Sequence, residues 1–336
     1  MNHVYRVIFD RRSGEFRVAS ELTRSSGSGG TRGSTGVVRH SVLPALAVLA
    51  ALQLHSGEAV AACTPAAPVD NDTVSCIGVP ILLPPNPNRF LSNANGLAVT
   101  VQAGAIMSTL PGGTAMTLGG NNITLTNLGA IDANAAGSLV LARALTIGNL
   151  IAPTSSSVLV NNQGSIEGTF DGTFGLLGTA AVIANAGATT FNNSGSIGVT
   201  ALGAFDPVNS IAVAIYGGGN VNFTNTGTIT GRVAFASPTT GGNTFTNAGT
   251  INGSVSLGTT LSNDTFVAVT GSSIGNPLIP LPAVGIPTPT LPPGLLTFAA
   301  TGTIDAGVGG SDTLVLQNTV AGPGSGTGGA GAISGL

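Results

Sequence analysis

From about residue 91 the chain alternates apolar and polar residues in short runs, and the runs recur. Val221-Asn222-Phe223-Thr224-Asn225-Thr226-Gly227-Thr228-Ile229 has the form apolar, any, apolar, any, Asn, any, Gly, small, Ile. The same form runs from Ile123 to Ile131 and from Val158 to Ile166. With a polar first position it runs from Thr189 to Ile197 and from Asn243 to Ile251. A weaker copy, with Ala300 in place of Asn, spans Leu296 to Ile304, and a looser one ends at Gly104-Ala105-Ile106.

Alternation puts one set of side chains on each face of a strand, so each copy predicts a strand, an Asn-x-Gly corner and a second strand. Asn and Gly both tolerate left-handed backbone angles, and Asn can also bond its local backbone, which suits a sharp change of direction. The predicted corners are Asn127 with Gly129, Asn162 with Gly164, Asn193 with Gly195, Asn225 with Gly227 and Asn247 with Gly249, with Gly104 and Gly302 at the weaker copies. Their glycines are spaced by 25, 35, 31, 32, 22 and 53 residues.

Repeats of this length signal stacked units that bury their apolar faces on one another. The expected fold class is all-β: a right-handed parallel β-helix whose longer intervals hold inserted loops. Further strands between corners, such as Ile211 to Ile215 and Arg232 to Phe235, make three strands per rung. In register, Phe191, Phe223, Phe245 and Phe298 are expected to form one interior column and the corner asparagines a ladder.

Glycine contributes 51 of 336 residues and charged residues only 7%, yet 42% hydrophobic residues suffice for a core. Val42 to Leu54 is an apolar run too short to span a bilayer, preceded by a basic stretch and followed by Ala59-Val60-Ala61-Ala62. Residues 1–62 therefore read as a targeting segment cleaved after Ala61 or Ala62. After it, only Arg89, Arg143 and Arg232 stand against nine carboxylates, net −6, which gives no basic patch for nucleic acid.

The opening MNHVYRVIFDRRSGEFRVASEL resembles the extended signal peptide region of type V secretion substrates of Gram-negative bacteria. The resemblance rests on Asn2, Tyr5-Arg6-Val7-Ile8-Phe9, Gly14 and Val18-Ala19-Ser20-Glu21-Leu22, with His3 and Phe9 where that family has Lys and Trp. It implies export by the inner-membrane secretion machinery, processing by signal peptidase and passage through the periplasm to the cell surface or medium. It also implies an outer-membrane β-barrel translocator, which this sequence does not contain; a fragment, a truncated gene or a separate partner would account for that.

Cys63 and Cys76 are the two cysteines, and an exported chain most simply pairs them. Val60-Ala61-Ala62-Cys63 also fits a lipoprotein box loosely. The stretch from Ala62 to Cys76 resembles the small disulfide loop at the start of autotransporter passengers. The expected organisation is a leader (1–62), a disulfide-looped, Pro-rich cap (63–90), rungs (91–316) with a Pro-rich insert at 276–294 standing off the wall, and a Gly-rich tail (317–336) without strand signals.

Candidate chemistry is sparse. His3, His40 and His55 all precede the cleavage site, so no Ser-His-Asp or Cys-His set can form in the mature chain. Gly271-Ser272-Ser273-Ile274-Gly275 spells a nucleophile elbow without a base. Gly309-Gly310-Ser311-Asp312-Thr313-Leu314 is similar to the Ca²⁺-binding nonapeptide but occurs once, so it reads as a turn. No catalytic, cofactor or metal residues are expected. A polysaccharide lyase or hydrolase would need Arg143 or Arg232 brought to Asp132, Glu167 or Asp171. The leading expectation is a surface interaction protein, an adhesin with a host or neighbouring-cell ligand, by analogy of fold.

Overall fold

The computed structural model describes residues 5–10, 15–20, 62–78, 88–109, 113–133, 143–170, 178–199, 210–236, 241–258, 262–275, 284–287, 295–317 and 332–334. Two compact units are present, Met1–Ser56 and Gly57–Leu336. In the first, Tyr5–Asp10 and Glu15–Ser20 pair antiparallel. The apolar run Val42 to Leu54 and Ala61 lie outside the described residues, as do positions 79–87 of the lead-in.

The second unit is a parallel β-helix. Its first wall stacks Thr73–Ile77, Ala98–Val101, Ile123–Asn127, Val158–Asn162, Thr189–Asn193, Val221–Asn225, Thr244–Asn247, Thr265–Val269 and Thr313–Gln317, neighbours parallel throughout. From Ala98–Val101 to Thr265–Val269 the strands continue round the corner into a second wall, as in Ala130–Asp132, Ser165–Phe170 and Ser196–Val199. A third wall carries Thr114–Leu118, Arg143–Ile147, Gly178–Ala184 and Ile211–Tyr216. Thr228–Phe235 and Thr250–Ser256 run unbroken over the second and third walls, bending at Gly231 and Gly253.

Parallel pairing leaves only the two ends of such a stack unpaired. Ala62–Thr64 folds back antiparallel on Thr73–Ile77 and closes the first end, and a Cys63–Cys76 disulfide ties the pair. Apolar positions of the three walls meet in one continuous core. On the first wall that core is a column of Val74, Val99, Leu125, Val160, Phe191, Phe223, Phe245, Phe266 and Leu314. Phe191 and Phe223 stack with centroids 4.7 Å apart, Phe223 and Phe245 at 4.8 Å, and Phe245 and Phe266 at 5.5 Å.

Phe298 is not in this column. Leu295–Phe298 pairs antiparallel with Val284–Pro287, and Leu296 and Phe298 are buried on the outside of the third wall against Val182, Ile211, Ala214, Tyr216 and Ala234. Of the Pro-rich insert the described residues are Val284–Pro287, which this pairing ties to the strand that follows it. That strand is held there by apolar burial, and Ala299 O accepts from Arg232 Nη1 and Ser254 Oγ beneath it. Gly302 is not a corner of the repeat either, because Thr303–Asp305 pairs with Val255 and Ser256 on the third wall. The tail holds a short strand too: Ala332–Ser334 pairs with Thr303–Asp305. Three residues among glycines are too few for alternation to show.

Candidate functional site

The Asn-x-Gly corner is built by stacking. Asn127, Asn162, Asn193, Asn225 and Asn247 occupy one register position, all buried. Nδ2 of each donates to Oδ1 of the next, at 2.7, 2.7, 2.8 and 2.9 Å. Nδ2 also reaches the carbonyl that opens the next rung's second wall, Ser165 O at 2.9 Å and Ser196 O at 3.1 Å in the first two steps. Backbone amides add to this: the carbonyls of Asn127, Asn162 and Asn193 each accept both corner N–H groups of the following rung. Oδ1 of Asn127 is buried without a partner, because Val101 stands beneath it where an asparagine would donate.

The corner glycines serve space, not left-handed geometry. Gly129, Gly164, Gly195, Gly227 and Gly249 lack positive φ. A Cβ on Gly164, Gly195, Gly227 or Gly249 would lie 1.8 to 2.1 Å from the carbonyl oxygen of the corner glycine one rung before. Left-handed glycines occur instead in the two longer corners at the ends of the series, Gly104 with φ 80° and Gly271 with φ 90°. Gly271 to Gly275 is thus a corner and the start of a second-wall strand that pairs Ser273 with Thr250 and Ile274 with Ile251. It has no elbow geometry. Sequence inspection missed this copy because Ala268 replaces Asn and four residues, Val269 to Ser272, lie between Ala268 and Ser273 where two lie between their register partners Asn247 and Thr250.

A second ladder enters the first wall. Asn243 Oδ1 accepts from Val221 N, Asp264 Oδ1 from Asn243 N, and Asp312 Oδ1 from Asp264 N. Asp312 of the nonapeptide-like stretch therefore serves a turn. Burial pushes the Asp264 carboxyl up to about 6; hydrogen bonds from Asn243 N and Ser262 Oγ oppose the rise, and the Asp312 carboxylate adds to it.

The outward face of the first wall is the extended surface these ladders hold flat. One column runs Thr73, Ala98, Thr124, Leu159, Thr190, Asn222, Thr244, Thr265, Thr313. The other runs Ser75, Thr100, Thr126, Asn161, Asn192, Thr224, Thr246, Val267, Val315. Every position is at least partly exposed, and none is charged or aromatic. Asn192 Nδ2 donates to Asn161 Oδ1 at 2.9 Å along the column. Beside them a shallow groove of about 280 Å³ is lined by Asn161, Gln163, Asn192, Ser194, Thr224 and Thr226.

Asp132 and Glu167 are register partners on the second wall, whereas Arg143 and Arg232 lie on the third; Asp171 is outside the described residues. Arg232 is buried under Ala299, and its burial disfavours the charged form. Among the described residues no three His, Cys, Asp or Glu gather to hold a metal ion.

Residues 1–50 match the family model described as Extended Signal Peptide of Type V secretion system. The leader is that of a type V secreted protein. A type V leader entails export across the inner membrane of a Gram-negative bacterium and processing by signal peptidase. No curated protein and no solved structure matches the chain.

Proposed function

We propose that this protein is a type V passenger that acts at the cell surface or outside the cell by adhesion, through the outward face of its first wall, and not by turnover. The observation that carries the reading is the pair of uncharged threonine- and asparagine-rich columns along nine rungs. A rigid parallel sheet repeats its side chains about every 4.8 Å. Hydroxyls and carboxamides at that repeat offer donors and acceptors to a long neutral surface with little entropy to lose on binding. Transfer from the periplasm to the surface requires an outer-membrane β-barrel translocator.

Replacing Thr126, Asn161 and Thr224 together by lysine tests this reading. These side chains point away from the core, so folding should change little, while attachment of displaying cells to host or neighbouring cells should fall. Undiminished attachment by the folded variant would overturn the assignment. In parallel, release of reducing or unsaturated ends from a polysaccharide panel would establish an enzyme instead.

A further inference from the structure

The two outward columns of the first wall form a lattice with two fixed repeats. Along the stack the strands are about 4.8 Å apart, and across a strand the columns are two residues, about 6.7 Å, apart. Parallel pairing runs from Thr73–Ile77 to Thr313–Gln317 without a register shift. In four successive rungs the two outward residues flank a stacked phenylalanine, namely Phe191, Phe223, Phe245 and Phe266. These rings back the face with a closely packed floor.

The hydroxyls of this lattice are open to a ligand. Among the described residues, those of Thr124, Thr126, Thr190, Thr224, Thr244 and Thr246 bond to no protein group, whereas at the corner Thr226 Oγ1 donates to Asn193 O. Branching at Cβ restricts χ1, so each hydroxyl and its methyl group keep a set direction. Strand propensity favours threonine on any wall, yet the second wall does not follow it: its outward positions include Asp132, Glu167, Gly198 and Gly275.

We propose that this face binds ice. The proposal rests on the reading of the first wall as the binding face and names its ligand. A face without charge suits an uncharged ligand, and a face that repeats in two directions suits one that does the same. No aromatic side chain stands in either column to stack on a sugar ring. The prism face of hexagonal ice meets these conditions: its oxygen atoms both donate and accept, and its two in-plane spacings lie close to those of the columns. Threonine hydroxyls join that lattice while the methyl groups between them exclude liquid water. Each such bond is weak on its own. Recognition comes from many bonds falling in register at once, on side chains with little freedom to lose.

Freezing assays on the exported chain test the proposal. Ice grown slowly from a solution of the fluorescently labelled chain should take up the label, and osmometry should show a gap between melting and freezing points. Thr190→Lys and Thr246→Lys, made separately on phenylalanine-backed rungs, should each lose most of both effects while circular dichroism shows an unchanged fold. Thr230→Lys, which adds the same charge to the second wall, should keep them. Exclusion of the chain from ice, undiminished uptake of the folded first-wall variants, or equal loss in folded Thr230→Lys would each overturn the proposal. Co-sedimentation with crystalline cellulose by a chain that ice excludes would overturn it in favour of a neutral polysaccharide. The adhesive reading is separable: a chain excluded from ice whose attachment to cells falls on lysine replacement keeps that reading and loses this one, whereas uptake into ice without attachment to cells does the reverse.

Discussion

The ring of Phe223 lies on that of Phe245 with centroids 4.8 Å apart and planes 7° apart, and Phe235 from the third wall closes on both at 5.9 and 6.1 Å. Aromatic rings in register along a parallel sheet stack face to face because the rung spacing leaves them no other arrangement. The first and third walls thus meet on one column.

Phe223→Ala should cost roughly 3–5 kcal/mol, because neighbouring rungs are held apart by their own hydrogen bonds and cannot collapse into the cavity. Thr224→Ala, one residue on and pointing outward, should stay within about 0.5 kcal/mol. Denaturant unfolding checks the magnitudes. Hydrogen exchange should lose protection around residues 189–256 before residues 123–166.

The corners separate two reasons for which a position in this fold can require glycine. Gly227→Ala should destabilise by about 1–3 kcal/mol or more through collision with Gly195 O, and Gly227→Asn should be no better. At Gly104 nothing lies within 4 Å but φ is 80°, so Gly104→Ala should cost about 1 kcal/mol and Gly104→Asn should recover part of it. Recovery by Asn at position 227 would show that backbone angle, not crowding, governs the interior corners.

Asn193→Ala takes one acceptor from the Nδ2 of Asn162, which keeps Ser196 O, and the side-chain donor from the Oδ1 of Asn225, both in a buried setting, which should cost about 2–4 kcal/mol. Asn127→Ala should cost less, because it removes one donor and an oxygen that already lacks a partner. Equal losses at the two positions in thermal unfolding would refute the directional ladder.

Asp264 makes stability depend on pH in the direction opposite to an ion-paired carboxylate. Its folded pKa of about 6 exceeds the ordinary 3.8, so between these values the folded chain binds more protons than the unfolded chain. The penalty for ionising it is absent below about pH 4, grows as pH rises and is complete above about pH 6. Asp264→Asn, which places at this position the residue type found one rung earlier at Asn243, should flatten that dependence and stabilise by about 1–3 kcal/mol at pH 7.5. Thermal melts at pH 4.5 and 7.5 with both chains check the sign.

The rung was legible in the sequence because period-two alternation and a stacked corner leave regular marks. Val158 to Ile166 and Val221 to Ile229 could be placed from their residues alone. The pattern was blind to its own degenerate copies. Thr265 to Ile274 continues the stack with Ala268 in the ladder position and a longer corner, while Leu296 to Ile304 carries the pattern but folds as part of a hairpin and a third-wall strand. What separates them is the partner strand, and a nine-residue window contains no partner.

The unpartnered Oδ1 of Asn127 bears on how this scaffold can vary in length. A head-to-tail series of carboxamides has one vacant acceptor at its start however many members follow, so the defect is a property of the boundary and not of the repeat. Asparagine at position 101 would only shift that vacancy one step toward the disulfide. Each further rung adds a complete set of bonds and a further ring to the column while the end cost stays constant. Stability therefore rises in proportion to rung number, and whole rungs can be gained or lost between the two outer corners without redesign of either end.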